Sequence, residues 1–234
     1  MIEEIQNIFK QNNIEINTEQ AKKFEKYINL LTEYNKVMNL TAIIQPKEVI
    51  LKHFVDCCLP YKLFKQQSSV CDVGSGAGFP SIPLKIIRDD LNIIMVDSLQ
   101  KRVNFLNILI KELELTNIKA IHSRAQEFCQ NNRETFDNTT ARAVAPLNIL
   151  NELCLPLTKL NGQFIVYKSQ NIENELNEAQ NSLNILGGKV ENVLNMFLKG
   201  ENETFERNIV LINKIKQTPK KYPRLKDKIN KKPL

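Results

Sequence analysis

The chain has 234 residues, 42% hydrophobic and 25% charged, with a formal net charge of +6, the profile of a globular protein that buries about 70% of its unfolded surface in one main domain. No apolar run approaches the roughly 18 residues that span a bilayer, and Met1-Ile2-Glu3-Glu4 is acidic where a secretory leader would be basic and then apolar, so a cytoplasmic protein without a membrane partner is expected. Five cysteines without a C-x-x-C pair (Cys57, Cys58, Cys71, Cys129, Cys154) and two histidines (His53, His122) disfavour a disulfide framework and a zinc ribbon, and no metal site is expected.

In chain order, Asn17 and Gln20 have capping-box spacing, and Phe24, Tyr27, Ile28 and Leu31 follow at helical intervals, which predicts an amphipathic helix over residues 18–36. A second helix is predicted over 46–59, with Pro46 in its first turn. Short apolar runs at 69–73, 92–96, 118–121, 139–144 and 162–167 then alternate with stretches of helical period, the pattern of βαβ units in a parallel sheet. The clearest of these helices gathers Leu99, Val103, Leu106, Ile110 and Leu113 on one face and keeps Lys101, Arg102, Asn104 and Lys111 off it. Apolar stretches at 189–198 and 208–215 flank Gly200-Glu201-Asn202-Glu203 and read as a closing hairpin. Together these runs predict an α/β fold, a seven-stranded, mostly parallel sheet with helices on both faces. The predicted units are a helical amino-terminal extension (1–66), the sheet domain (67–215) and a carboxyl tail (216–234).

The tail concentrates the charge. From Lys214 to Leu234, nine basic residues face one acid, Asp227, giving that segment +8 and leaving the other 213 residues at −2. Pro219, Pro223 and Pro233 argue against a continuous helix there. Such a segment suits a polyanion through counterion release, or is a solvated solubility tail.

The candidate chemistry sits where the first predicted strand ends. Val70-Cys71-Asp72-Val73-Gly74-Ser75-Gly76-Ala77-Gly78-Phe79-Pro80 runs from a strand into a glycine loop, and Gly74 and Gly76 allow backbone amides to approach a ligand closely. The next strand ends in Asp97, twenty-five residues after Asp72, where a carboxylate can accept from both hydroxyls of a ribose. An adenosine-bearing cofactor follows. A dinucleotide loop would place its third glycine at Phe79, which weakens an oxidoreductase, and a P-loop would need a Gly-Lys-Ser/Thr that is absent. The D-x-G-x-G-x-G spacing resembles the S-adenosylmethionine loop of Rossmann-like class I methyltransferases.

The resemblance narrows with Asn39-Leu40-Thr41, His53-Phe54-Val55-Asp56, Phe79-Pro80-Ser81-Ile82-Pro83-Leu84, Asp97-Ser98 with Lys101-Arg102 and Phe105-Leu106, Ser123-Arg124, Ala141-Arg142-Ala143, and the ending from Thr218-Pro219-Lys220-Lys221-Tyr222-Pro223-Arg224. In this order, over nearly the whole chain, they resemble the bacterial 16S ribosomal RNA guanine-N7 methyltransferases, the glucose-inhibited division protein B family. Ser81 stands where the family often has glycine, and Cys57 where it has serine.

The resemblance implies S-adenosyl-L-methionine as cofactor and methylation of N7 of a guanine in the decoding region, on the small ribosomal subunit or its assembly intermediate. A monomer is expected. It carries cofactor contacts to Gly74, Phe79, Ala125, Gln126 and Arg142, beside Asp97. Arg142 could touch the methionine carboxylate, position the guanine or form a structural ion pair. Lys168, Lys220, Lys221 and Arg224 are the candidate RNA contacts. His53 and Asp56, three apart on one helix, could steer the base or pack the amino-terminal helices on the sheet. Guanine N7 carries an in-plane lone pair, so no general base is expected, and alignment with desolvation supplies the catalysis. The Asn/Asp-Pro-Pro-Tyr/Phe mark of exocyclic-amine enzymes is absent: Ala143-Val144-Ala145-Pro146 stands there. The alternative is a ribosome-assembly RNA-binding protein whose cofactor pocket is structural.

Overall fold

The amino terminus begins with an amphipathic helix, α1 (Ile2–Gln11), that burial of Ile5 and Phe9 holds in place. The computed structural model of the protein describes residues 1–169 and 172–234. In α2 (Thr18–Met38) the capping box forms as the spacing predicts: Asn17 accepts from the Gln20 N–H, and Gln20 reaches back to the Asn17 N–H. Asn39 ends α2 in the left-handed region at φ 49°, a conformation that asparagine tolerates better than most residues, and its N–H donates to Asn35 O.

The predicted second helix is present but not regular. It runs as α3 (Pro46–Val49), a π-helical stretch Ile50–Val55, and α4 (Asp56–Cys58), followed by a single 3₁₀ turn, Tyr61–Leu63. The π stretch coincides with a Lys52 carbonyl that accepts from Arg142 rather than serving only its own helix.

The alternating part follows as β1 (Ser69–Val73), α5 (Ser81–Ile87), β2 (Asn92–Asp97), α6 (Gln100–Glu112), β3 (Ile118–His122), α7 (Ala125–Asn131), β4 (Phe136–Arg142), α8 (Leu147–Cys154) and β5 (Thr158–Lys168). The chain continues through α9 (Ile172–Glu178), α10 (Gln180–Leu186), β6 (Gly188–Lys199), β7 (Thr204–Lys214) and α11 (Lys226–Lys231). Among the described residues the seven strands form one sheet in the order β3-β2-β1-β4-β5-β7-β6; β1 to β5 pair in parallel, and the β6–β7 hairpin adds antiparallel. The strand order reverses direction between β1 and β4, so a crevice opens at their carboxyl ends.

β4 differs from its predicted span of 139–144. It starts at Phe136, because its polar leading residues are satisfied: Asp137 accepts from Ser69 N–H and Oγ and pairs with Lys159, and the buried Thr140 hydroxyl donates to Ile165 O. It ends at Arg142, because Ala143 turns to φ 55°.

Each face of the sheet has its own core. α1, α2, the 46–58 segment, α5 and α6 cover one face, where Phe24, Tyr27 and Phe54 are buried and Tyr27 stacks on Phe54 at 4.9 Å, a contact of about 0.5–1.5 kcal/mol beyond its area. α7, α8 and α10 cover the other, around Phe164, Leu150 and Leu183. The amino-terminal helices thus share a core with β1, β2 and α5.

The tail is not a solvated basic arm. Thr218, Tyr222 and Ile229 are buried, Arg133 donates to the carbonyls of Tyr222 (2.6 Å) and Pro219 (3.0 Å), and α11 forms between Pro223 and Pro233. Composition had hidden these anchors, because the partners of the tail lie far back in the sequence. Among the described residues no helix is long and apolar enough to cross a membrane.

Candidate active site

At the end of β1, Gly74 takes φ 80°, and its N–H extends the ladder to Val96 O at 2.8 Å. A Cβ on Gly74 would lie 2.8 Å from Val144 Cγ2, so only glycine fits under the β4–α8 loop. Gly78, at φ 104°, is held from behind: a Cβ there would meet Ile82 and the Tyr27 hydroxyl, which itself donates to Ala77 O at 2.6 Å. The amino-terminal helix α2 therefore braces the glycine loop.

Asp97, 2% exposed, closes the other side. Its Oδ1 accepts from Leu99 N–H and its Oδ2 from Gly76 N–H, both at 2.9 Å, with Arg102 Nη1 at 3.6 Å from Oδ2. Each carboxylate oxygen can accept a second hydrogen bond, so the pair retains capacity for two hydroxyls. Between these walls lies a cleft of about 380 Å³, lined by Gly74, Asp97, Ala125, Gln126, Val144 and, on the α8 side, Ile149. Backbone approach at Gly74, acceptor capacity at Asp97 and an apolar wall beyond fit a nucleoside with a small charged substituent.

Asp72 lies beneath the loop. It is fully buried and neither carboxylate oxygen has a hydrogen-bond partner. Burial raises its pKa to about 7 against the opposing pull of the Ser75 and Ser81 hydroxyls, and the nearby Asp97 charge raises it further.

A second cleft, about 330 Å³, opens at the carboxyl ends of β4 and β5 beside the amino-terminal half of the antiparallel β7, and Ala143 lines both. Its floor is an ion cluster. Asp56, almost fully buried, accepts from Arg142 Nη2 and Arg207 Nε, each at 2.7 Å. Arg142 also donates to Lys52 O (2.8 Å) and to His53 Nδ1 (3.3 Å), and its guanidinium lies 5.5 Å from the centre of the Phe79 ring. With Arg142 donating to Nδ1, His53 carries its proton on Nε2 and donates it to Thr41 Oγ1 at 2.8 Å. Burial, aided by the Arg142 charge, lowers its pKa to about 3.

Of the residues expected at the cofactor, Gly74, Asp97, Ala125 and Gln126 line the first cleft together. Gly76 reaches it through its bond to Asp97. Phe79 does not line it: its ring stacks on His53 at 4.5 Å and faces the amino-terminal helices. Arg142 lines the second cleft and is ion-paired.

The expected RNA contacts divide. Lys168 lines the second cleft, but its charge is taken up by Glu175 (2.6 Å) and the Ala145 carbonyl (2.9 Å). Arg224 is locked by a fork onto Glu152, which is fully buried, with Nε and Nη2 donating at 2.8 and 2.6 Å; it is an anchor of the tail rather than a free phosphate contact. Lys220 and Lys221 are exposed. Sequence reasoning missed Arg207 and Glu175, which have no motif of their own, and left Asp72 without a role although its place before the glycine loop was a signal.

A family model described as rRNA small subunit methyltransferase G matches residues 20–210. The chain belongs to the rRNA small subunit methyltransferase G family. Similar curated proteins of that name include those of Desulforamulus reducens, 49% identical over 96% of this chain and 95% of that protein, and Staphylococcus haemolyticus, 49% identical over 94% and 92%. Among solved structures, M. jannaschii TYW2 in complex with AdoMet matches with a TM-score of 0.56 at 14% identity, covering 68% of this chain and 75% of that one. An S-adenosylmethionine-dependent O-methyltransferase from Thermotoga maritima matches with a TM-score of 0.52 at 14% identity, covering 81% and 73%. These two share the Rossmann-like fold. The cofactor of this family is S-adenosylmethionine, in keeping with the donors and acceptors of the first cleft.

Proposed function

We propose that this protein methylates N7 of a guanine in 16S ribosomal RNA, on the small ribosomal subunit or its assembly intermediate, and acts as a monomer. The observation that carries this proposal is the meeting of two clefts at Ala143, one suited to a nucleoside cofactor and one rimmed by both hydrogen-bond donors and acceptors. When bound, S-adenosylmethionine supplies an electrophilic methyl group on a sulfonium.

The protein's own residues do the rest. Asp97 accepts from the ribose hydroxyls, Gly74 lets the backbone close on the ligand, and Ala125 and Gln126 frame the adenine. The guanine enters the second cleft, where Arg142 and Arg207 offer donors and Glu175 an acceptor to its edges. Arg142 is a positioning residue, held by Asp56 and His53 so that the base meets the methyl in line. A guanidinium that gripped O6 and N7 together would block attack, so the base is held by O6 or its Watson–Crick edge.

N7 loses no proton before it attacks, which accords with the groups at hand: His53 is held neutral with Nδ1 already engaged, and Asp72 is sealed beneath the loop. Lys220 and Lys221 extend the positive surface toward RNA phosphates.

The test is transfer of labelled methyl from S-adenosylmethionine to 30S subunits lacking the modification, then nuclease digestion and identification of the nucleoside. N7-methylguanosine is expected. A different methylated nucleoside would overturn the atom assigned, and RNA binding with cofactor bound but no incorporation would favour an assembly factor with a structural pocket.

A further inference from the structure

The tail, read from composition as a basic arm, ends on the cofactor cleft. Ile229 and Asn230 of α11 line the same 380 Å³ cleft as Ala125, Gln126, Ile149 and Leu153. Ile229 is 1% exposed although only five residues follow it, and α11 packs against α8. We propose that α11 is the outer wall of the adenine end of the cofactor cleft, with Ile229 closing the apolar side and Asn230 at its polar rim. This rests on the assignment of that cleft to S-adenosylmethionine.

Two features support it. First, the path of the tail is fixed before it reaches the cleft. Lys214 Nζ donates to Leu155 O (2.7 Å) and pairs with Glu134, Thr218 Oγ1 donates to Leu186 O (2.7 Å), Arg133 holds the Tyr222 carbonyl, and Arg224 forks onto the buried Glu152. Glu152 is on α8, one residue from Leu153, so the anchor and the cleft wall share a helix. The chain beyond residue 224 is thus delivered to the mouth of the cleft.

Second, the chemistry of that end is that of a purine. Ile149, Leu153 and Ile229 present aliphatic surface suited to the ring face, whereas the amides of Gln126 and Asn230 each carry a donor and an acceptor, as the amine and ring nitrogens of adenine require. The ribose acid Asp97 stands on β2, one strand in from the β3–α7 turn, which places the adenine end toward α7 and α8.

The test is calorimetric binding of S-adenosylhomocysteine to four proteins: the full chain, a chain ending at Leu225, which retains the Arg224 anchor, the full chain with Ile229→Ala and Asn230→Ala, and the full chain with Lys228→Gln, Lys231→Gln and Lys232→Gln. Removal of 226–234 is expected to weaken binding about tenfold or more, the double variant by less, and the lysine variant to bind as the full chain does, because wall and not charge is at issue. Methylthioadenosine, which lacks the amino-acid portion, should lose affinity by the same factor. Unchanged binding by the shortened chain, or a loss seen with S-adenosylhomocysteine but not methylthioadenosine, would overturn the proposal. Asp97→Asn separates the two levels: if it weakens binding while the shortened chain does not, the wall is wrong and the cleft stands; if neither does, the cleft assignment fails and the wall with it. Should the shortened chain melt early, the double variant decides, and full affinity there would overturn the proposal.

Discussion

The two clefts at the carboxyl edge of the sheet are built by different means. The one beside β1 and β2 is made largely of backbone: Gly74, Gly76 and Gly78 at positive φ, a loop amide on Asp97, and α2 pressed behind it. The one beside β4, β5 and β7 is made of side chains brought from distant segments, with Asp56, Arg142 and Arg207 converging across 151 residues of sequence. A backbone site depends on conformation and a side-chain site on charge balance, so substitutions should hurt them differently.

The largest expected effect is on the side-chain site. Asp56→Ala leaves Arg142 and Arg207 facing each other without their carboxylate, and breaking a buried ion cluster in this way costs about 3–5 kcal/mol. For a chain of this size that lowers the melting temperature by about 10 °C. A melting temperature within about 2 °C of wild type would show that the cluster contributes positioning and not stability.

Next is the backbone site. Gly74→Val puts a branched side chain at φ 80° against Val144, a strain of about 1–3 kcal/mol. The free protein should melt closer to wild type than Asp56→Ala does, but affinity for S-adenosylhomocysteine should fall by about a hundredfold or more, because the added methyls occupy ligand space. Retained affinity, measured by calorimetry, would remove Gly74 from the cofactor site.

The same contrast explains what the sequence could and could not reveal. The backbone site was legible because its requirements are local: glycines at fixed spacing after an apolar run, and an acid at the end of the next strand, are dictated by φ and by strand length. Most strands were legible for the same reason, since a buried parallel strand must be an apolar run; β5 and β7 each begin four residues before their predicted starts, and β4 both starts three residues earlier and ends two residues sooner, its polar start being satisfied by cross-strand partners at Ser69 and Lys159. The side-chain site was not legible. Nothing near Arg207 or Glu175 marks them, and the ion partners of Arg142, Lys168 and Arg224 are set by tertiary packing. The tail misled for a related reason: charge was visible in composition, while Glu134 and Glu152, which neutralise Lys214 and Arg224, are 80 and 72 residues away.

The two sites should also respond to pH in opposite directions. Asp72, behind the glycine loop, has a folded pKa near 7 against 3.8 unfolded, so the folded state holds its proton more tightly; the stability from that proton is complete below about pH 4 and is lost as pH rises through 7, about 4 kcal/mol in all. Asp72→Asn cannot ionise, so its melting temperature relative to wild type should climb between pH 4 and 7 and level off above. His53, in the other cluster, has a folded pKa near 3 against 6.5 unfolded; its contribution is complete above pH 6.5 and is lost as pH falls toward 3. His53→Gln should therefore gain on wild type in acid, not toward neutrality. Parallel pH profiles for the two variants would mean that the burial of one group has been misjudged.

The smallest effect distinguishes built-in charge from available charge. Lys168 sits in the second cleft with Glu175 on its ammonium, whereas Lys221 is exposed, its ammonium lying over the Tyr222 ring. Each phosphate neutralised on a single strand contributes about 0.7 to the slope of log affinity against log salt. Lys221→Ala should lower that slope by about this amount with little change in melting temperature. Lys168→Met should do the reverse: releasing Glu175 costs about 1 kcal/mol of stability and takes the pair from zero net charge to −1, which weakens RNA binding, but no cation that pairs with a phosphate is lost, so the salt slope holds. RNA affinities measured across a salt series for both variants would separate the two cases. A slope that falls with Lys168→Met as much as with Lys221→Ala would mean that RNA displaces Glu175 on binding, making the second cleft a site that opens its own ion pair to receive the phosphate chain.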